Sequence, residues 1–390
     1  MKAVGDTESA IYSGYRLFFR FCKLTGCCPI QGLWTKSPRS DLRVKMTLWS
    51  SIYSLILLAC YIWTLVLFVA VHIQRPTSPS RTLMMLVYGY YALLYLQSTV
   101  NAFTVARHAG TLLDIIRICS SLETRICLDK DGVRGRLRLA SRYCLGFMFM
   151  DCIKSLTLAN RIIPAAWLHL FSMSDWEKVL CLVFFVIGVM LVGLWFSVSF
   201  WMVTYNAYAL REYFARVNEL LAGGLSEGGN CSEILQKVRW HQAAIRDIVS
   251  RFNSVLGLQS TVYYGGSVYF MCSTMFGALL SNISVLERLV ISVFAITMGI
   301  GLLVSAREGH RMTSEVSVRK SEAPSEKYLT LQISRILHLL LVTSEAGEKA
   351  FTGCGLFKIN LSVLVAISGA VITYTVVLVQ TDENTARRCV

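Results

Sequence analysis

Asp151 and Lys154 stand three residues apart in an otherwise apolar stretch, residues 139–160. Three-residue spacing puts both on one helical face. A charge at mid-membrane depth costs about 2.5–3.5 kcal/mol on insertion scales, so such residues face a cavity or each other. Two readings follow: a mutual ion pair, or the polar wall of a binding pocket joined by Asn160 and Arg161. Tyr88, Tyr91 and Tyr95 recur at spacings of three and four, with Tyr90 and Gln97 nearby. They read either as a packing or interface belt, or as the aromatic wall of the same pocket. Phe184, Phe276, Phe294 and Thr297 are further candidates for it.

A second constellation closes the chain. Thr373, Val377, Gln380, Thr381 and Asn384 share one helical face in an apolar run. Lipid does not call for Gln and Thr in a row. The face therefore packs against another helix or lines an aqueous pore. Asp382 and Glu383 follow at once. They are either a solvated tail or, repeated around an oligomer, a ring of carboxylates that concentrates cations.

Catalysis has little to stand on. The six histidines, His72, His108, His169, His241, His310 and His338, lie far apart without metal-ligand spacing. No Gly-rich phosphate loop occurs. The expected activity is binding, with no metal, no cofactor and no enzyme chemistry.

The elements that position these residues are membrane spans. Of 390 residues, 54% are hydrophobic and 16% charged. Residues 46–74, 82–106, 179–210, 252–286, 289–306 and 359–381 contain no Asp, Glu, Lys or Arg. A helix needs roughly 20 apolar residues to cross a bilayer. These blocks supply six spans. Residues 139–160, interrupted by Arg142, Asp151 and Lys154, supply a seventh.

The net charge of +14 suits topology better than nucleic acid, which is not an expected partner. Segments 1–45, 107–138, 211–251 and 307–350 hold 28 of the 38 Lys and Arg, and the alternate segments hold seven. Positive residues accumulate in cytoplasmic loops. The alternation works only if residues 139–160 cross, so the N terminus is expected inside and the C terminus outside. A cleavable signal peptide is not expected, because the first apolar run is too long and too late.

The expected fold is all-α, a seven-transmembrane-helix bundle. Residues 1–45 are expected to form a basic, partly helical cytoplasmic segment, and 46–381 the spanning domain. Spans run at about 46–74, 82–106, 139–160, 179–205, 257–283, 289–306 and 357–381. Residues 382–390 are a short extracellular tail. The inner helices extend into a cytoplasmic base, where 240–249 and 329–341 have apolar residues at helical spacing. Cys22, Cys27 and Cys28 match no zinc pattern and read as inert or lipidated thiols. Asn230-Cys-Ser is a sequon on the expected inside, and Asn282-Ile-Ser one in an outer loop. A G-protein-coupled receptor has its N terminus outside, so that class is disfavoured.

Three segments carry a resemblance. The last span contains Thr373-Tyr374, five residues and Gln380. This resembles the Thr-Tyr-(five)-Gln-Phe signature of the insect gustatory receptors, with Thr381 where the family has Phe. Asn253-Ser-Val-Leu-Gly257-Leu-Gln259 is similar to an Asn, Gly, Gln pattern in that family. Phe21-Cys-Lys-Leu-Thr-Gly26-Cys-Cys-Pro29 resembles its opening. The inside N terminus, read from charge alone, is also that family's topology.

The resemblance implies a homotetrameric, ligand-gated cation channel in the plasma membrane. Its subunits would be identical or mixed with related ones. Thr373, Val377, Gln380 and Thr381 would line one central pore, with Asp382 and Glu383 at its mouth. A small-molecule tastant would sit in an outward-facing pocket among spans two to six, built by Tyr88, Tyr91, Tyr95, Asp151, Lys154, Asn160, Phe184, Phe294 and Thr297. Permeant cations and membrane lipid are the other partners. Few polar candidates line the pocket, which favours a bitter or other mostly apolar tastant over a sugar. The rivals are an odorant-receptor-type subunit that needs a co-receptor, and a membrane receptor that is not a channel.

Overall fold

A computed structural model describes residues 9–26, 30–31, 43–44, 47–73, 81–159, 174–226, 231–279, 285–317 and 350–388. It is an all-α bundle. In chain order the helices are α1 Ala10–Leu24, α2 Leu48–Ile73, α3 Arg81–Arg107, α4 Ala109–Arg125 and α5 Lys130–Ala159. They continue as α6 Asp175–Phe196, α7 Val198–Ser226, α8 Cys231–Leu279, α9 Val285–Ser317 and α10 Leu361–Arg388. Two short antiparallel hairpins complete the described residues. In one, β1 Ile30–Gln31 pairs with β2 Arg43–Val44. In the other, β3 Thr352–Gly353 pairs with β4 Phe357–Lys358.

Each stretch expected to span falls on a helix, and the fourth falls on two, α6 and the start of α7. Residues 329–341, Cys27, Cys28 and both sequon asparagines lie outside the described residues.

The surface is that of a multi-pass membrane protein. On α2, Leu55 is 63% exposed and Ile62 51%. Water does not tolerate such a continuous apolar face, and lipid does. Three described stretches are long and apolar enough to cross by composition alone: Leu48–Leu67, Asp175–Gly223 and Leu361–Gln380. The remaining helices carry polar side chains inward, among them Gln97, Asn101, Asp151 and Gln259, all buried.

The basic opening segment contributes a core element, α1. Ala10, Ile11, Tyr12, Tyr15, Phe18, Phe19 and Cys22 are fully buried. Trp201 of α7 stacks on the Phe18 ring, centroids 4.0 Å apart, and Tyr15 Oη donates to Asn206 Oδ1 at 2.7 Å. The Tyr205 hydroxyl donates to the Ile11 carbonyl at 2.7 Å. Cys22 is therefore closed to a lipidating enzyme, which leaves the inert reading of that thiol.

The first N–H groups of a helix lack intrahelical acceptors. In α1 the Ser9 side chain makes no capping bond. Glu123, at the far end of α4 and fully buried, replaces it. Its two carboxylate oxygens accept from Ala10 N and Ile11 N, both at 2.9 Å, and Oε1 also takes the Tyr213 hydroxyl at 2.7 Å. The anion sits at the positive end of the α1 dipole with its lone pairs occupied, which offsets its loss of water.

An ion-pair network ties α5, α7 and α9 together at the end rich in Arg. Arg136 donates to Glu212 at 2.7 Å and Arg211 to Glu308 at 2.9 Å, with Arg311 3.3 Å from Glu308. The β3–β4 hairpin then leads into α10. Asn253 of α8 holds it with two hydrogen bonds: Nδ2 donates to the Ala350 carbonyl and Oδ1 accepts from Thr352 N, each at 3.0 Å. One turn along α8, a Cβ on Gly257 would stand 3.3 Å from the Cys354 nitrogen, so a small residue is needed there. The Asn253–Gly257 pair thus anchors the base of the last helix.

Candidate functional site

A small, partly open cavity lies among five helices. Leu94 comes from α3, and Asp151, Lys154 and Ser155 from α5. Phe196 ends α6, Phe270 and Thr274 belong to α8, and Met298 to α9. These are the helices of spans two to six. One end is apolar and partly aromatic, and the other carries the acid–base pair.

The ion pair is formed. Lys154 Nζ donates to Asp151 Oδ1 at 2.5 Å, and Ser197 Oγ donates to Asp151 Oδ2. Both side chains are nearly enclosed, 12% and 10% exposed. The Lys154 ammonium also lies 5.6 Å from the centroid of the Phe147 ring. Asp151 and Lys154 thus bond each other and also line this cavity.

The pocket owes its shape to a break in a long apolar helix. Ser197 is the one non-helical residue between α6 and α7. A helix end leaves carbonyls without partners, and at membrane depth no water replaces them. Polar side chains of α3 take them up. Asn101 Nδ2 donates to the Trp195 carbonyl at 2.7 Å and the Phe196 carbonyl at 3.1 Å. Gln97 Nε2 donates to the Phe196 carbonyl at 3.0 Å, and Ser98 Oγ to the Val192 carbonyl at 2.8 Å. Asn101 Oδ1 accepts from Ser199 Oγ at 2.7 Å, and Gln259 Nε2 donates to the Asn101 carbonyl at 3.2 Å. The break turns Phe196 into the pocket and Ser197 onto Asp151.

The other sequence candidates are distributed as follows. Tyr91 and Tyr95 pack in the cluster that includes Phe196, Phe270 and Met298, one layer behind the lining. Tyr61 donates its hydroxyl to the Tyr95 carbonyl at 2.9 Å. Phe184 is half-buried on α6 and Thr297 half-buried on α9, where Thr297 Oγ1 donates to the Val293 carbonyl at 2.8 Å. Neither Phe184 nor Thr297 is among the lining residues. Tyr88 and Phe294 lie on α3 and α9, but their side chains fall outside the described residues, as does Asn160 altogether.

Six lining residues went unread in the sequence: Leu94, Ser155, Phe196, Phe270, Thr274 and Met298. Only Ser155 carried a signal, one position beyond Lys154 and one turn beyond Asp151.

On α10, Ile367, Val371 and Thr375 are buried at four-residue spacing and face α8 and α9. The Val371 carbonyl accepts from Cys272 Sγ at 3.8 Å. Thr373, Val377 and Gln380 lie about half a turn round from that stripe and are exposed, Val377 by 50%. The helical backbone continues through Thr381, Asp382 and Glu383, whose side chains fall outside the described residues.

Residues 15–385 match the pattern of a family described as 7tm chemosensory receptor. The chain belongs to that family. This chemosensory receptor is therefore not an enzyme. Its fold is that of an insect olfactory receptor, OR5 from Machilis hrabei. In its unliganded form OR5 aligns with a TM-score of 0.64 at 12% identity, over 94% of this chain and 98% of that one. In complex with eugenol it aligns with a TM-score of 0.57 at 13% identity, over 95% and 97%. No curated protein sequence matches the receptor.

Proposed function

We propose that this receptor is a gustatory chemoreceptor: a tastant-gated, non-selective cation channel of the plasma membrane. Four copies surround one pore, each with its N terminus in the cytosol. The ligand sits in the pocket beside Asp151 and Lys154. The observation that carries the channel reading is the face of α10 bearing Thr373, Val377 and Gln380, which is exposed among the described residues. A helix with one side packed on α8 and α9 and the other side mixed polar and apolar suits a shared water-filled axis. Val377 supplies an apolar constriction, Gln380 a polar ring above it, and Thr381, Asp382 and Glu383 the mouth.

The pocket and the pore helix have a material link. Phe196 lines the pocket and its carbonyl is held by Asn101, whose own carbonyl takes Gln259 of α8. Less than two turns away on α8, Asn253 and Gly257 seat the hairpin that starts α10. A ligand that favours one arrangement of Phe196 biases that chain of contacts.

The test is expression of this chain alone in a heterologous cell with G-protein signalling blocked. Ligand-evoked cation current supports the proposal. Current only on co-expression with a second receptor subunit supports the odorant-type reading. A ligand response that vanishes with the G-protein block overturns both. Topology has its own check: a glycan on Asn230 would reverse the orientation.

A further inference from the structure

One cation in the α5 run takes no part in the pocket. Arg142 lies nine residues before Asp151. Asp151 and Lys154 are nearly enclosed and pair with each other. Arg142 instead stands on the exposed stripe of α5, with Leu139, Tyr143, Phe149, Met150 and Ile153. Tyr143 is 72% exposed and Phe149 61%. Arg136 on the same helix is held by Glu212, but among the described residues no acid pairs with Arg142.

The cavity fixes the depth of this cation. Leu94, Phe270 and Met298 stand within one residue of the middle of the charge-free runs 82–106, 252–286 and 289–306, and they share the cavity with Asp151. Asp151 is therefore near the mid-plane of the bilayer. Nine residues of helix lower Arg142 by about 14 Å. The hydrocarbon half-thickness is about 15 Å, so Arg142 stands at headgroup level. Tyr143 lies beside it, where interfacial aromatics collect. One turn higher, a Cβ added to Gly146 would meet nothing within 4 Å, which leaves a bare strip between Phe149 and Met150.

We propose that this stripe binds one anionic phospholipid, with the Arg142 guanidinium on its phosphate and an acyl chain over Gly146. A guanidinium meets a phosphate with two parallel N–H bonds. A zwitterionic headgroup brings its own cation to that phosphate, and an anionic headgroup leaves the charge to Arg142. The stripe continues upward as an apolar face, so the guest comes from the bilayer. The leaflet rests on the topology proposed above: with the N terminus in the cytosol it is the cytoplasmic one, where anionic lipid resides.

The test uses the full-length protein in nanodiscs of equal phosphatidylcholine and phosphatidylglycerol. Native mass spectrometry counts the lipids each chain retains, and the readout is the ratio of phosphatidylglycerol to phosphatidylcholine. Wild type is expected to favour phosphatidylglycerol. Arg142→Gln should lower the ratio about fivefold, the factor that one basic residue near the surface carries. Arg142→Lys should keep most of it. Gly146→Trp, which covers the strip, should lower the count of retained phosphatidylglycerol.

Arg251 is the control. It lies nineteen residues below Phe270 on α8, about 28 Å from the mid-plane, so Arg251→Gln removes the same charge outside the bilayer and should leave the ratio alone. A ratio unchanged in Arg142→Gln overturns the site. Equal losses in Arg142→Gln and Arg251→Gln reduce it to the general basic charge of the chain and overturn it too. An altered oligomer mass in Arg142→Gln at constant ratio would mean that a second copy covers the stripe, not lipid. A count unchanged in Gly146→Trp overturns the acyl path. The two leaflets of a nanodisc are alike, so a wrong topology would leave these ratios as they are and would show as a glycan on Asn230.

Discussion

The side-chain amide of Asn101 holds the carbonyl of Trp195 at 2.7 Å, across the gap between α3 and the end of α6. With Phe196 it serves two carbonyls that the break at Ser197 has freed. Asn101→Leu leaves the Trp195 carbonyl with the Ser197 N–H alone and also strips a partner from the Phe196 carbonyl and from Ser199 Oγ, at a cost of about 1–3 kcal/mol. Gln97→Leu should cost less, because the Phe196 carbonyl keeps its bond from Asn101. Melting curves of the two purified variants give the order. Equal losses would mean that Asn101 does not hold the break.

Glu123 caps α1 from another helix, so its removal should act on the N-terminal element first. Glu123→Ala strands Ala10 N, Ile11 N and the Tyr213 hydroxyl. A loss of about 2–4 kcal/mol is expected. Glu123→Gln keeps an acceptor but loses the charge at the helix N-terminus, and about 1 kcal/mol is expected. Limited proteolysis should cut within residues 10–24 in the Ala variant well before the wild type. Uniform unfolding with no early N-terminal cut would sink the idea.

The burial of α1 was only partly legible. Its pattern AIYSGYRLFFRFCKL has an apolar face, but two Arg and a Lys lie in it and the flanks are basic, which reads as a cytosolic lead-in. What buries it is long-range: Glu123 at the N-terminus, and Tyr205, whose hydroxyl occupies the space a side chain on Gly14 would need. Neither partner is near in sequence. Six of the helices expected to span, by contrast, were legible because each is set by a local run without charge, and the seventh, over 139–160, through the alternation of basic loops on either side of it. Asp151 and Lys154 were legible because a charged pair in such a run has few reasons to exist. The aromatic and thioether walls were not, since Phe196, Phe270 and Met298 look like any other apolar residue of a span. The break at Ser197 was hidden for the same reason: a lone Ser in an apolar helix is ordinary.

His241 offers a pH test away from the membrane. It is buried on α8, and neither ring nitrogen meets a hydrogen-bond partner among the described residues. Burial, then Lys237 and Arg125, lower its pKa below the usual 6.5. The unfolded chain therefore binds the proton more readily, and stability falls as pH drops below about 6.5 toward the folded-state pKa. His241→Phe should flatten that part of the stability curve while matching the wild type near pH 8. An unaltered acid limb would place the effect on other groups.

The outer end of α10 gives the sharpest functional prediction. Gln380 is exposed on the same side as Val377, and Thr381 follows where the family signature has Phe. A hydroxyl wets a constriction that a phenyl ring would dry. If these residues surround a pore, Thr381→Phe should lower current in the absence of ligand several-fold, and Val377→Ser should raise it. Asp382→Asn with Glu383→Gln should reduce cation conductance, more at low ionic strength than at high, because the carboxylates act through a screened field. Single-channel recording separates the two effects: the first pair alters open probability and the second alters unitary current. If Thr381→Phe leaves ligand-free current unchanged, the seal lies deeper, at Val377. If Val377→Ser leaves it unchanged as well, α10 does not line the gate.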